Sequence, residues 1–245
     1  MTPIAPAAPR ARHAAIWLLV ALGALFVTSP FLQGLPRGDL VEATLLSAVM
    51  VAAIVAVGGQ RRALIVGLVL LVPALGGKWL NQARPDLAPP VLHLVASIVF
   101  FGFVVARLLV FLVRSPRVDA NVLCAGVAGF LLLGLLWVPA YAAVARLDPA
   151  AFALSGAPGA PATLDAFGAF YFSMITLCTV GYGDVTPVSS VARMLAVLEA
   201  VSGVFYMAVL VSRLVSMHAA SRPTPEPAPP SAAGPKAPGR GSGRH

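Results

Sequence analysis

Between Phe167 and Pro187 the chain reads FGAFYFSMITLCTVGYGDVTP, the stretch whose residue types and spacing carry the most chemistry. Gly181 and Gly183 alternate with Val180 and Tyr182, behind Thr179 and ahead of Asp184. Glycine at every second position admits backbone angles that a Cβ resists. Such a backbone can turn successive carbonyl oxygens toward one side. Carbonyls are dipoles without full charge, so a ladder of them replaces the water around a cation and still lets it go. Thr179 adds a hydroxyl at the inner end, and the side chains of Val180 and Tyr182 are free to pack outward and hold the loop. Four copies around one axis are needed to close the ring of oxygens, so the pattern predicts a homotetramer. A short helix before the loop would aim its carbonyl end, with its partial negative charge, at the place where the cation rests.

The elements that must position this loop follow from composition. Of 245 residues 59% are apolar and only 11% charged, and the mean hydropathy is +0.89. A soluble domain carries roughly 25% charged residues, so most of this surface must face lipid or other membrane-embedded protein. The net charge of +8 lies between apolar runs and not along one face, which argues against nucleic-acid binding. No Walker loop, catalytic triad or metal-ligand spacing is present, so an enzyme has no residues to rest on. No organic cofactor is expected. Cys124 and Cys178 lie in apolar stretches and read as packing residues.

Six runs approach or reach the roughly 20 apolar residues that cross a bilayer: Ala14–Leu32, Leu40–Val57, Ala63–Leu80, Val91–Val113, Ala120–Val144 and Val188–Met217. The third is the weakest, interrupted by Pro73 and the Gly76-Gly77 pair. Thr163–Cys178, with 16 residues, is too short to span and reads as a re-entrant segment. The expected fold is an all-α membrane protein with six transmembrane helices and a re-entrant pore helix between the fifth and sixth. Its parts are an arm over 1–13, a four-helix domain over 14–117, a pore domain over 118–217 and a tail over 218–245. The first apolar run is longer than a signal-peptide core and no clean cleavage site follows, so it reads as a retained helix.

With both termini cytoplasmic, ten basic residues lie inside (Arg10, Arg12, Arg61, Arg62, Arg114, Arg117, Arg222, Lys236, Arg240, Arg244) and four outside (Arg37, Lys78, Arg84, Arg146). This asymmetry predicts that the re-entrant loop opens outward. Fifteen of the 17 basic residues are arginine, a composition suggesting a bacterial gene and hence the bacterial cytoplasmic membrane. Ser221–His245 is Pro, Ala, Gly and Ser, a composition expected to be disordered and too poor in apolar residues to build a soluble ligand domain.

Thr179-Val180-Gly181-Tyr182-Gly183-Asp184 resembles, without a substitution, the filter signature of the tetrameric potassium channels. The order of outer helix, extracellular loop, pore helix, filter and Thr186-Pro187 opening the inner helix is similar too, over about Ala120 to Met217. The resemblance implies a potassium-selective channel working as a homotetramer in lipid, with K⁺ held at Thr179, Val180, Gly181 and Tyr182. It also implies filter support from Tyr171, Ile175, Thr176 and Cys178. Ile175 stands where many members keep a carboxylate, and Cys178 where the family usually has threonine, so filter behaviour that depends on those groups is in doubt here. Tyr171 is placed to reach Asp184, or else is an interface-level tyrosine.

The resemblance puts Gly203 at the hinge of the inner helix, where a glycine either permits bending or lets two helices approach. Glu199, four residues earlier, is either a cavity carboxylate or a residue hydrogen-bonded to Ser173 or Thr176; the structural role is favoured. Helical spacing gives Ala200, Val204, Met207 and Val211 as apolar cavity and gate linings, and Arg213 is expected to snorkel to the cytoplasmic surface. The fourth run carries one interior arginine, Arg107, followed by Arg114 and Arg117 at its end. A sensor helix places basic residues at every third position, so steep voltage gating is not expected. His93 and His218 read as solvated residues at membrane ends. The alternatives are a voltage-gated or weakly selective cation channel, and a non-conducting accessory or sensor subunit.

Overall fold

The computed structural model describes residues 14–57, 61–84, 91–115, 119–155 and 163–220. The amino-terminal arm, Arg117, residues 156–162 of the loop after the fifth helix and the tail from Ser221 lie outside the described residues. The order is α1 (Ala14–Leu32), α2 (Gly38–Val57), α3 (Arg61–Ala83), α4 (Leu92–Arg114), α5 (Ala120–Leu147), β1 (Phe152–Leu154), α6 (Ala166–Leu177), β2 (Val185–Pro187) and α7 (Ser190–Ala220). All helices except α6 are long and apolar enough to cross a membrane. At 1.5 Å per residue, the 12 residues of α6 reach only about 18 Å against a hydrocarbon layer of ~30 Å.

The third run forms an unbroken helix, with Pro73 inside it. A membrane helix tolerates such a residue because neighbouring groups satisfy the freed backbone. The two helices that precede the functional loop, α5 and α6, both start on aspartate. Asp119 accepts from the Val122 N–H at 2.8 Å at the start of α5, and Asp165 accepts from the Gly168 N–H at 2.6 Å at the start of α6.

The hub is α5, whose best apolar window is 56% buried, whereas those of the other five spans are 22–33% buried. Phe100, Val104, Leu108 and Leu112 of α4 belong to the buried cluster on one side of it. On the other side its small residues admit close neighbours. A methyl group at Gly129 would collide with the Tyr206 hydroxyl of α7, and one at Gly134 with the Met174 thioether of α6. The Tyr206 hydroxyl itself donates to the Gly126 carbonyl at 2.9 Å. The first helix reaches the functional region directly, since the rings of Phe26 and Phe170 meet edge-on at 4.8 Å.

Among the described residues the one departure from helix is a two-stranded antiparallel ribbon pairing Phe152 with Pro187, Ala153 with Thr186 and Leu154 with Val185. Thr186 and Pro187 therefore do not open the inner helix, as the sequence suggested. They belong to β2, and α7 starts at Ser190. The ribbon is extended by Ser155 N–H to the Asp184 carbonyl (2.7 Å) and Val188 N–H to the Ala151 carbonyl (2.8 Å).

Gly129→Leu is expected to overpack the α5–α7 contact at a cost of about 1–3 kcal/mol. A methyl group at Gly23 would meet no atom within 4 Å, so Gly23→Ala should leave stability unchanged or raise it by up to about 1 kcal/mol. Thermal melts of the two variants in detergent check this, the first moving down and the second not.

Candidate functional site

After α6 the chain turns back on the helix it has just left. The Thr179 N–H donates to the Thr176 carbonyl at 2.9 Å, and the Val180 and Gly181 N–H groups both reach the Ile175 carbonyl, at 2.8 and 3.3 Å. Three alternate residues then take the left-handed backbone: Thr179 (φ 57°), Gly181 (φ 52°) and Gly183 (φ 82°). Carbonyls along an ordinary extended chain alternate sides, and reversing the hand at every second residue brings them to the same side. Glycine accepts this conformation freely, but for Thr179 it costs roughly 1–2 kcal/mol. Thr179 is the only non-glycine with such an angle among the described residues. Sequence reasoning assigned the special backbone to the glycines alone. The signal was present in the period of two, which places Thr179 in register with Gly181 and Gly183.

The loop is braced from behind. The Tyr171 hydroxyl donates to the Asp184 carboxylate at 2.7 Å, and the second carboxylate oxygen accepts from the Val185 N–H at 3.0 Å. A phenol keeps its proton at neutral pH, so Tyr171 is a donor to Asp184 there. Ile175 is buried and acts through its carbonyl, as Thr176 does, whereas Cys178 is exposed at the end of α6. Val180 and Tyr182, expected to pack outward, are 50% and 74% exposed in the single chain.

The inner helix turns one face inward. Glu199, Gly203, Tyr206 and Leu210 recur at helical spacing and are all buried. Val204, Met207 and Val211, read from sequence as cavity and gate linings, are all exposed on other faces of the helix. Glu199, read as either a cavity carboxylate or a partner of Ser173 or Thr176, lies on the inward face. It is 0% exposed, and its two oxygens meet the hydroxyls of Tyr141 (2.5 Å) and Ser173 (2.6 Å). Gly203 is a site of close approach, since a methyl there would stand 2.6 Å from the Leu177 carbonyl oxygen. Contacts of α7 at 199 and 203 thus meet contacts of α6 at 173 and 177, each pair one helical turn apart. Arg213 does not simply snorkel: its Nη2 donates to the Ser115 carbonyl at 2.6 Å, tying α7 to the end of α4.

A feature the sequence did not announce is a crevice of about 450 Å³ where α2, α3, α4 and α5 meet the start of α6, lined by Asp39, Glu42, Lys78, His93, Arg146 and Asp165 among others. His93, read as a solvated interfacial histidine, is buried there, packed against Gly77. Asp165, the cap of α6, lines the same crevice.

Residues 126–219 match a family model described as ion channel. That stretch is similar to an ion-channel domain. The matched stretch takes in α5 from Gly126, the ribbon, α6, the braced loop and α7 almost to its end. The family is one of ion channels and not of enzymes. Two-pore potassium channel 4 of Arabidopsis thaliana is 44% identical over 48 residues, 20% of this chain and 17% of that protein. Two pore potassium channel c of Oryza sativa subsp. japonica is 37% identical over 88 residues, 36% of this chain and 18% of that protein. The calcium-gated potassium channel TvoK of Thermoplasma volcanium is 46% identical over 48 residues, 20% of this chain and 14% of that protein. The chain thus spans less than a fifth of the length of each of these curated relatives. No solved structure matches it significantly.

If Gly203 serves close approach, even one methyl must push α7 off the end of α6. Gly203→Ala is then expected to lower the melting temperature of the protein, although alanine is the better helix former by roughly 1 kcal/mol. An unchanged or raised melting temperature in detergent would show that the two helices are not in contact there.

Proposed function

We propose that this chain is a subunit of a potassium-selective channel, four copies of which surround one axis and let K⁺ pass passively down its electrochemical gradient. The observation that carries the reading is the alternating left-handed backbone at Thr179, Gly181 and Gly183, seated between a short helix and two spanning helices. The carbonyls of Thr179, Val180, Gly181 and Tyr182 would replace the water of K⁺, and Asp184 would stand at the outer mouth. The relatives named as potassium channels support the choice of ion. The tetramer is supported by the uncovered loop: Val180 and Tyr182 are largely exposed in one chain, and a ring of four would cover them. Most of α7 is uncovered as well, as a helix that lines an axis and meets other copies must be. The proposed setting is the bacterial cytoplasmic membrane, with both termini inside and the filter mouth outside.

Voltage is not the proposed stimulus. Moving one charge across 100 mV yields only about 2.3 kcal/mol, and α4 offers Arg107 and Arg114 seven residues apart. The helices before the pore would act by holding it, through Phe26 on α6 and Ser115 on Arg213.

Purified protein in proteoliposomes is expected to carry a barium-blockable K⁺ flux that is absent under a sodium-only gradient. Gly181→Asp places a side chain and a charge at a left-handed position and should abolish the flux. Equal Na⁺ and K⁺ flux would contradict selectivity, and K⁺-dependent stabilisation without flux would favour a non-conducting subunit.

A further inference from the structure

Tyr141 of α5, Ser173 of α6 and Glu199 of α7 are fully buried where the outer helix, the pore helix and the inner helix meet. Three oxygen-to-oxygen contacts join them. The Tyr141 hydroxyl lies 2.5 Å from Glu199 Oε2, Ser173 Oγ lies 2.6 Å from Glu199 Oε1, and Ser173 Oγ lies 2.8 Å from the Gly134 carbonyl oxygen of α5. Each contact at such a distance needs a proton between its oxygens. The two hydroxyls bring two protons, and a carbonyl brings none.

The third must therefore come from Glu199. With Glu199 ionised, Ser173 could serve either Oε1 or the Gly134 carbonyl, and the other pair would be two oxygens facing without a proton. A fully buried carboxylate meeting only uncharged hydroxyls also carries a desolvation penalty of several kcal/mol. With the acid neutral, every lone proton has one acceptor and the chain has one direction: Tyr141 O–H to Oε2, Oε1–H to Ser173 Oγ, and Ser173 O–H to the Gly134 carbonyl.

We propose that Glu199 is a neutral carboxylic acid whose proton completes this three-bond chain, and that it is the positioning residue that fixes the pore helix between the outer and inner helices. Its protonation follows from the geometry alone; its effect on conduction rests on the channel reading given above. The chain is local and short. Ser173 lies two residues before Ile175, whose carbonyl anchors the first turn of the loop, so a shift of α6 at Ser173 moves the filter.

The test is infrared spectroscopy of the full-length protein in lipid at neutral pH, with flux on the same samples. Wild type is expected to show the carbonyl stretch of a protonated carboxylic acid, missing from Glu199→Gln and moved to higher frequency in Tyr141→Phe, where Oε2 loses its donor. Glu199→Gln, whose amide donates to Ser173 and accepts from Tyr141, should assemble and conduct like wild type. Ser173→Ala and Glu199→Leu should lose roughly tenfold or more of the conducting population, the scale of one broken buried hydrogen bond per subunit. A wild-type spectrum identical to that of Glu199→Gln in the protonated-acid region would overturn the proposal, as would a Glu199→Gln protein as impaired as Glu199→Leu. Should wild type itself pass no K⁺, the channel reading fails while the infrared band still decides the protonation.

Discussion

A loop whose backbone reverses hand at every second residue cannot hold its own shape. Left-handed angles at Thr179, Gly181 and Gly183 forgo the regular hydrogen bonding that a helix or a paired strand would supply. What remains is bracing from outside, and the fold is organised to provide it. Val180 and Gly181 lean on the last turn of α6 through the Ile175 carbonyl, Asp184 is held by Tyr171, and the chain beyond Asp184 is clamped by the ribbon to the segment leaving α5. Each brace refers the loop back to α6 or α5, so the position of the short helix is the quantity on which the site depends.

That position is itself set from three directions. The outer helix meets α6 through Gly134 and Met174, and the aromatic rings of Tyr141, Phe152 and Phe172 pack edge-on at 4.9–5.9 Å beside them. The inner helix docks by Glu199 on Ser173 and by Gly203 beneath the Leu177 carbonyl. The first helix adds Phe26 against Phe170, which brings the four-helix part of the chain into direct contact with the pore helix. A second link, Arg213 to Ser115, joins the far end of α7 to the end of α4. The first four spans are thus mechanically connected to both ends of the inner machinery, and any motion of theirs has a short path to the loop.

Much of this was legible in the sequence, for physical reasons that differ by element. Lipid forces each spanning helix to be a long apolar run, so the end of α1 at Leu32 is readable to the residue and α3 is readable despite Pro73. The loop was legible because alternate glycines have few other uses. The ribbon was not, because each strand is three residues long and its partner lies more than 30 positions away in the chain. The role of Gly203 required knowing which atom faces it, and helical spacing alone leaves bending and close approach equivalent. Glu199 was readable as an anomaly in an apolar helix, with Ser173 a candidate partner, but Tyr141 and the Gly134 carbonyl come from a different helix with no periodic relation to it. The charged crevice beside Asp165 escaped notice because several separate helices each contribute only one or two titratable residues to it.

The central claim is that four of these loops face one axis and replace the water of a cation with backbone carbonyls. Anomalous diffraction from the assembled protein grown in rubidium, which substitutes for potassium, tests it most directly. The account predicts a single file of anomalous peaks on a fourfold axis, level with the carbonyls of Thr179, Val180, Gly181 and Tyr182. An assembly without that axis, or an axis whose loops carry no peaks, would contradict it.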